Sequence, residues 1–325
     1  MDFFLYSASI LLGSAGARFI ALYGCRLGIM DRPNKRSSHC EATPKGGGIG
    51  ILLTFLLASA VIGIPATFWL AGGLIGLLSV FADGVELPPS LRLFFHFMVA
   101  AMLLSGKTEF LTGFLTGPGS WLLAAALAVY IVGTANFYNF MDGINGIAAS
   151  TGCVAFALLS IFGLHAGADD EWIRLSLCLA LACLGFLPYN VPKAQVFLGD
   201  VGSILLGFAF SGLVLQLSDS WFHFLCLSSF LLIFYADELS TMMVRLKDGE
   251  NLTHPHRRHL YQLLANEMKI DHWKVSLAYS VSQLFVGVTA LLLMHHGAIP
   301  VISFLGLCFA GFFWLSFNLR KRTKG

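Results

Sequence analysis

Eleven apolar stretches alternate along this chain with short polar segments, and nearly every charged residue lies in the segments between them. That alternation constrains the fold more than any motif does. A helix needs roughly 20 apolar residues to cross a bilayer core, whereas an outer-membrane barrel shows shorter segments of alternating polarity. The stretches lie near residues 3–23, 46–64, 66–82, 91–105, 121–138, 146–165, 173–189, 200–217, 221–236, 273–294 and 298–317, the fourth being the shortest. Only 12% of the 325 residues are charged, about half the share of a soluble domain. The expectation is an all-α, polytopic membrane bundle of about eleven helices, one domain over residues 1–325.

Lys and Arg mark the cytoplasmic side of a membrane protein. With the N-terminus outside, the C-terminus is cytoplasmic and the inward segments fall at about 24–45, 83–90, 136–146, 189–200 and 237–273. All 20 basic residues except Arg18, Lys107 and Arg174 then lie in or beside inward segments or the tail, and Asp169-Asp170-Glu171 lies outside. The net charge of +2 implies no nucleic-acid partner. The first stretch has neither a basic leader nor a small-residue cleavage site, so it is expected to stay as a helix. Seven cysteines occur singly, without a CxxC pair, which indicates neither disulfide nor zinc.

The unusual polar groups all fall in the inward segments. Asp200, in Val196-Phe197-Leu198-Gly199-Asp200-Val201-Gly202-Ser203, stands between two apolar runs. An acid there either caps the next helix or binds a metal on a phosphate. The first segment, Asp31 to His39 and then Thr43-Pro44-Lys45-Gly46-Gly47-Gly48, joins cations and hydroxyls suited to an anion with glycines that permit either helix packing or close approach to phosphate. Asp83 ends the third stretch, with Glu86 and Arg92 following. Asn139, Asp142 and Asn145 alternate with glycines in the third segment, where a cap and turn explain the two Asx-Gly pairs poorly. Pro188-Tyr189-Asn190-Val191-Pro192-Lys193 leads into Asp200. The fifth segment carries His254-Pro255-His256-Arg257-Arg258-His259, whose spacing suits phosphate or diphosphate better than a closed zinc site, with a solvated basic loop as the plain alternative.

In order, DRPNKRSSH, TPKGGG, NFMDGING, PYNVPKAQVFLGDVGS and HPHRRHLYQ resemble the polyprenyl-phosphate N-acetylhexosamine-1-phosphate transferase family (glycosyltransferase family 4), over about residues 30–265. That family includes bacterial N-acetylglucosamine-1-phosphate and phospho-muramoyl-pentapeptide transferases. The resemblance implies a Mg2+-dependent enzyme, with Mn2+ able to substitute, at the cytoplasmic face of a bacterial inner membrane. It would move a sugar 1-phosphate from a UDP-N-acetylhexosamine to undecaprenyl or another polyprenyl phosphate and release UMP. By the same resemblance Asp200 and Asp142 would hold the metal, with Asp83 the third catalytic carboxylate. Asn139, Asn145 and Asn190 would shape the nucleotide and metal pocket, and Lys45 and Arg36 would charge its rim. His256, Arg257, Arg258 and His259 would hold the sugar-nucleotide phosphates. A homodimer is left open.

Two positions depart from the family pattern. Adjacent aspartates usually end the third span, whereas this chain reads Phe81-Ala82-Asp83-Gly84; the spacing to Leu87 and Arg92 aligns Asp83 with the second, so Ala82 replaces the first. Asn145 stands where many members carry aspartate. The short histidine run is closer to the branch that initiates O-antigen or other surface polysaccharides. The rival functions are a transporter or flippase of a phosphorylated sugar or lipid, whose polar groups would sit near the bilayer midplane, and a lipid diphosphate hydrolase.

Overall fold

The structure, a computed structural model, describes residues 2–33, 38, 40–84, 87–106, 119–251 and 256–324, without the side chains of residues 83, 84, 323 and 324. Arg36 and His254 lie outside the described residues, as does the side chain of Asp83. Twelve longer helices carry the described fold: α1 (Asp2–Tyr23), α2 (Ile49–Ile62), α3 (Ala66–Gly84), α4 (Pro89–Ser105), α5 (Ser120–Phe140), α6 (Ile147–Ala166), α7 (Asp170–Phe186), α8 (Asp200–Leu217), α9 (Trp221–Ser228), α10 (Leu232–Lys247), α11 (His272–Met294) and α12 (Ala298–Lys324).

Eight helical segments among the described residues are long and apolar enough to cross a bilayer; α9 and α10 form one of them, Trp221–Lys247. Three of the expected spans are shorter apolar helices, Ile49–Ile62, Ala66–Ala82 and Pro89–Ser105. At 1.5 Å per residue a 14-residue helix such as α2 reaches about 21 Å, less than a hydrocarbon core of about 30 Å. One feature departs from helix throughout: Met30–Asp31 (β1) pairs antiparallel with Thr43–Pro44 (β2), Asp31 opposite Thr43.

Helix α8 is almost wholly buried, as its apolar sequence on every face requires. It packs against α5 and α3, so its first residue, Asp200, is held at one end of the bundle centre. Close approach of small residues sets this geometry: a Cβ on Gly48 would stand 2.4 Å from the Cα of Gly202.

The span Trp221–Lys247 breaks at Ser229–Leu231. In a membrane the backbone groups released by such a break need partners within the protein. Gln283 of α11, fully buried, supplies both: its amide donates to the Ser229 carbonyl at 2.9 Å and its oxygen accepts the Ile233 N–H at 3.1 Å. The break releases α10 to run on its own course toward α12, against which it packs.

Candidate active site

Asp200 opens α8 after Gly199, whose φ of +74° turns the chain into the helix. Its carboxylate does not serve as the N-cap. One oxygen accepts the Asn139 amide at 2.9 Å, and the other pairs with the guanidinium of Arg92 from the first turn of α4. Asn139, from the last turn of α5, also donates to Ser203 Oγ at 2.8 Å, and Ser203 donates back to the Gly199 carbonyl. Three helices therefore meet on one carboxylate.

The segment after α5 is held by its neighbours. Asn190, nearly buried, accepts the Gly146 N–H at 2.5 Å and donates to the Val196 carbonyl at 2.8 Å. It thereby ties the third inward segment to the fourth. Asn145 donates to the Pro192 carbonyl at 3.2 Å, while its own carbonyl accepts Ser276 Oγ at 2.7 Å. Gly143 leaves room for Tyr261, whose hydroxyl donates to the Phe140 carbonyl at 2.9 Å.

The glycine run of the first segment performs packing. Gly47 N–H and Gly48 N–H donate to the carbonyls of Phe197 and Leu198, each at 2.9 Å, and Phe197 N–H returns a bond to the Pro44 carbonyl at 2.8 Å. Those amides are engaged within the chain. Lys45, just before the run, faces the space between.

These contacts enclose a cavity of about 320 Å3. Of the residues singled out in the sequence, Asp142, Asp200, Asn139, Asn145, Asn190 and Lys45 all line it, joined by Asp31. Ser38 and Gln262, each within a motif but not singled out in it, and His272 add further polar groups to the wall. Ser38 also accepts the Asn266 amide at 3.1 Å, joining the first segment to the fifth. His272, a lone histidine before an apolar run, carries no sequence signal. Gln262 had one, since it ends the HPHRRHLYQ motif.

The basic segment itself lies behind that wall. Arg258 pairs with Asp248 at 2.5 Å and with Glu250, and Arg257 with Glu267 at 3.3 Å. His259, almost completely buried, stacks on Tyr261 at 5.5 Å, its Nε2 standing 3.5 Å from Glu238 and its Nδ1 3.9 Å from Asp237. Burial, reinforced by Arg320 and Arg245, pushes the His259 pKa down to about 3. His256 is lowered to about 4, by burial first and by neighbouring His259 second. Neither imidazole lines the cavity, where the segment is represented by Gln262 three residues beyond His259.

Three carboxylates, Asp31, Asp142 and Asp200, line the cavity and bring hard oxygen donors to it. That suits Mg2+, which is commonly held by one or two carboxylates together with substrate phosphates and water. Among the described residues no cluster of three or more His, Cys, Asp or Glu forms a closed metal cage.

Comparison with known proteins places residues 65–218 in a match to the family model described as glycosyl transferase family 4. The chain is 28% identical over 196 residues to a probable undecaprenyl-phosphate N-acetylglucosaminyl 1-phosphate transferase of Bacillus subtilis, covering 57% of this chain and 54% of that protein. It is 25% identical over 285 residues to the undecaprenyl-phosphate alpha-N-acetylglucosaminyl 1-phosphate transferase of Yersinia pestis, covering 80% and 74%. A Thermotoga maritima protein of the same description is 27% identical over 258 residues, covering 79% of each chain. The match thus spans little more than half of the Bacillus protein and about three quarters of the other two.

Proposed function

We propose, from the match of residues 65–218 to the glycosyl transferase family 4 model, that this chain belongs to that family and transfers an N-acetylhexosamine 1-phosphate from a UDP-sugar to a polyprenyl phosphate. An oxygen of the lipid phosphate forms a bond to the sugar-bearing phosphorus, the bond from that phosphorus to the bridging oxygen breaks, and UMP leaves with that oxygen. The product is a lipid-linked diphosphate sugar that would initiate a surface polysaccharide such as O-antigen. The observation carrying this reading is that Asp142, Asp200, Asn139, Asn145, Asn190 and Lys45 share one cavity at the mouth of α8. A polar pocket at one end of an apolar bundle lets a water-soluble donor meet an acceptor whose tail stays in the bilayer. Transport would instead require groups near the midplane.

Mg2+, held by Asp200 and Asp142, would supply charge neutralisation between two phosphates. Asn139 orients Asp200 and keeps its carboxylate facing the cavity. Arg92 places a second cation beside that carboxylate, where it would meet the acceptor phosphate. Lys45 would hold a donor phosphate, and the segment 256–259 would act indirectly, by positioning Gln262 in the cavity wall. The polyprenyl phosphate is already largely dianionic near neutral pH, its second pKa being about 6, so it needs little base assistance. The positive-inside count supports a cytoplasmic position for this cavity.

Purified protein incubated with UDP-N-acetylglucosamine, polyprenyl phosphate and Mg2+ tests the reading. Lipid-linked diphosphate sugar with UMP is the expected product. UMP and N-acetylglucosamine 1-phosphate without lipid-linked sugar would identify a hydrolase, with water as the acceptor, and no turnover of either substrate would return the transporter reading.

A further inference from the structure

A second cavity, of about 340 Å3, opens where the end of α10 meets the end of α12. Its rim carries Lys247, Arg258, Arg320 and Lys321 against Asp248 and Glu267, and Val244, Leu263 and Phe317 give it an apolar wall. It shares no lining residue with the cavity at Asp200. Both acids already have partners: Asp248 pairs with Arg258 and Glu267 with Arg257. Four cations against two acids leave the rim with an excess of positive charge.

Its position in the fold gives that charge a meaning. Both helices belong to candidate membrane spans, Trp221–Lys247 and Ala298–Arg322, which would bring their ends to headgroup depth. Immediately along the same helices the surface is apolar and exposed: Met243 and Leu246 on α10, Trp314 and Phe317 on α12. Lys321 lies over the Phe317 ring at 4.5 Å, with its ammonium at the boundary between the two zones. An occupant matching both zones has acyl chains below and an anionic phosphate above. Basic pockets between spans select anionic headgroups in this way.

We propose that this cavity is a binding site for the headgroup of an anionic phospholipid of the surrounding membrane, distinct from the acceptor lipid. Lys247 and Lys321 supply the mobile cations. Arg320 is fixed: it donates to the Arg258 carbonyl and to Thr241 Oγ1, the latter at 2.8 Å. Between the two cavities runs a sequence of contacts from Arg320 to Thr241, Asp237, Tyr261 and Gly143, in which Thr241, Asp237 and Tyr261 are fully buried. An acceptor phosphate held at Lys247 and Lys321 would stand on the far side of that buried layer from Asp200.

Native mass spectrometry of the full chain, released from mixed vesicles of phosphatidylglycerol and phosphatidylcholine with matched acyl chains, tests the proposal. The parent should retain phosphatidylglycerol over phosphatidylcholine, less so as salt rises. The double variant Lys247→Gln/Lys321→Gln should lose about thirtyfold of that preference, each lysine contributing roughly fivefold. Excess inorganic phosphate should not displace the lipid. Equal retention of the two lipids by the parent, or an unchanged preference in the double variant, overturns the proposal. So does displacement of phosphatidylglycerol by added polyprenyl phosphate in the parent, because the cavity would then belong to the acceptor path. Both lysines are exposed, and unaltered thermal unfolding of the double variant would show that any loss is local.

Discussion

Gly143→Ala places a methyl group where the fold has no room for one. The added Cβ would stand 2.2 Å from the Tyr261 hydroxyl and 3.0 Å from two of its ring carbons. Tyr261 has little freedom to retreat. Its backbone N–H donates to Asp237, its ring stacks on His259, its hydroxyl donates to the Phe140 carbonyl, and it is fully buried. Overpacking costs about 1–3 kcal/mol and the displaced hydrogen bond about 1 kcal/mol, so the variant should lose about 2–4 kcal/mol. Tyr261→Phe alone should cost about 1–2 kcal/mol by stranding the carbonyl. In the double variant the nearest clashing atom is gone, and the total should fall below the sum by about 1–3 kcal/mol. Equilibrium unfolding of all four proteins in one mixed-micelle system measures the cycle. Additivity within about 0.5 kcal/mol would refute the contact as the reason for glycine at 143. Because this loop also carries Asp142 and Asn145, transfer should follow the same order as stability.

Asp200→Asn should leave folding nearly intact, since its partly exposed pair with Arg92 is worth about 1 kcal/mol or less. It should nonetheless remove nearly all Mg2+-dependent transfer, and a parental rate with unchanged Mg2+ dependence would reject Asp200 as metal ligand. Arg92→Gln should raise the KM for polyprenyl phosphate more than Arg92→Lys does; equal effects on both substrates would reject its place beside the acceptor. Ala82→Asp should maintain or raise transfer, chiefly through the lipid phosphate, whereas Gly84→Asp should not help equally. A gain only in Gly84→Asp would show that the aspartate register is the other one. His256 and His259 are held below the ordinary histidine pKa, so their stabilising contribution is present above about pH 6.5 and is lost as pH falls toward their folded values of about 4 and 3. For His259 this amounts to about 2 kcal/mol at pH 5, read by unfolding at both pH values; greater stability in acid would mean that Asp237 and Glu238 keep the ring protonated.

The helical stretches were legible because length and hydropathy are local properties of a chain. Where each helix stops is only partly local. The apolar run at 46–64 gives only Ile49–Ile62, since Gly63 at φ +93° closes α2. Nothing in the apolar run around Ser229–Leu231 announces a break, because the amide that compensates it comes from Gln283 on another helix. The polar wall was legible for a related reason: Asn139, Asp142, Asn145, Asn190 and Asp200 are polar groups at the edges of apolar runs, where few structural roles compete. Arg92 drew little notice because a lone arginine after a span is the ordinary mark of a cytoplasmic loop. Only the fold brings it to Asp200, 108 residues away.

The basic segment shows how a motif can shape a cavity from outside it. Asp237, fully buried, accepts the backbone N–H groups of Leu260 at 2.8 Å and Tyr261 at 3.3 Å, which fixes the start of the short helix Leu260–Gln262. A carboxylate at that point satisfies amides that a helix start leaves without intrahelical partners. Tyr279 and Thr241 donate to the same carboxylate, locking it between α10 and α11. The Gln262 side chain then accepts the His259 N–H at 3.3 Å and completes the cavity wall. His259 is thus the residue at which the chain turns from the arginine pairs, braced by Asp248 and Glu250, into the site. Loss of its ring would leave Tyr261 without its stacking partner and loosen the wedge against Gly143, so a substitution here should disturb Asp142 and Asn145 without any direct contact to a phosphate.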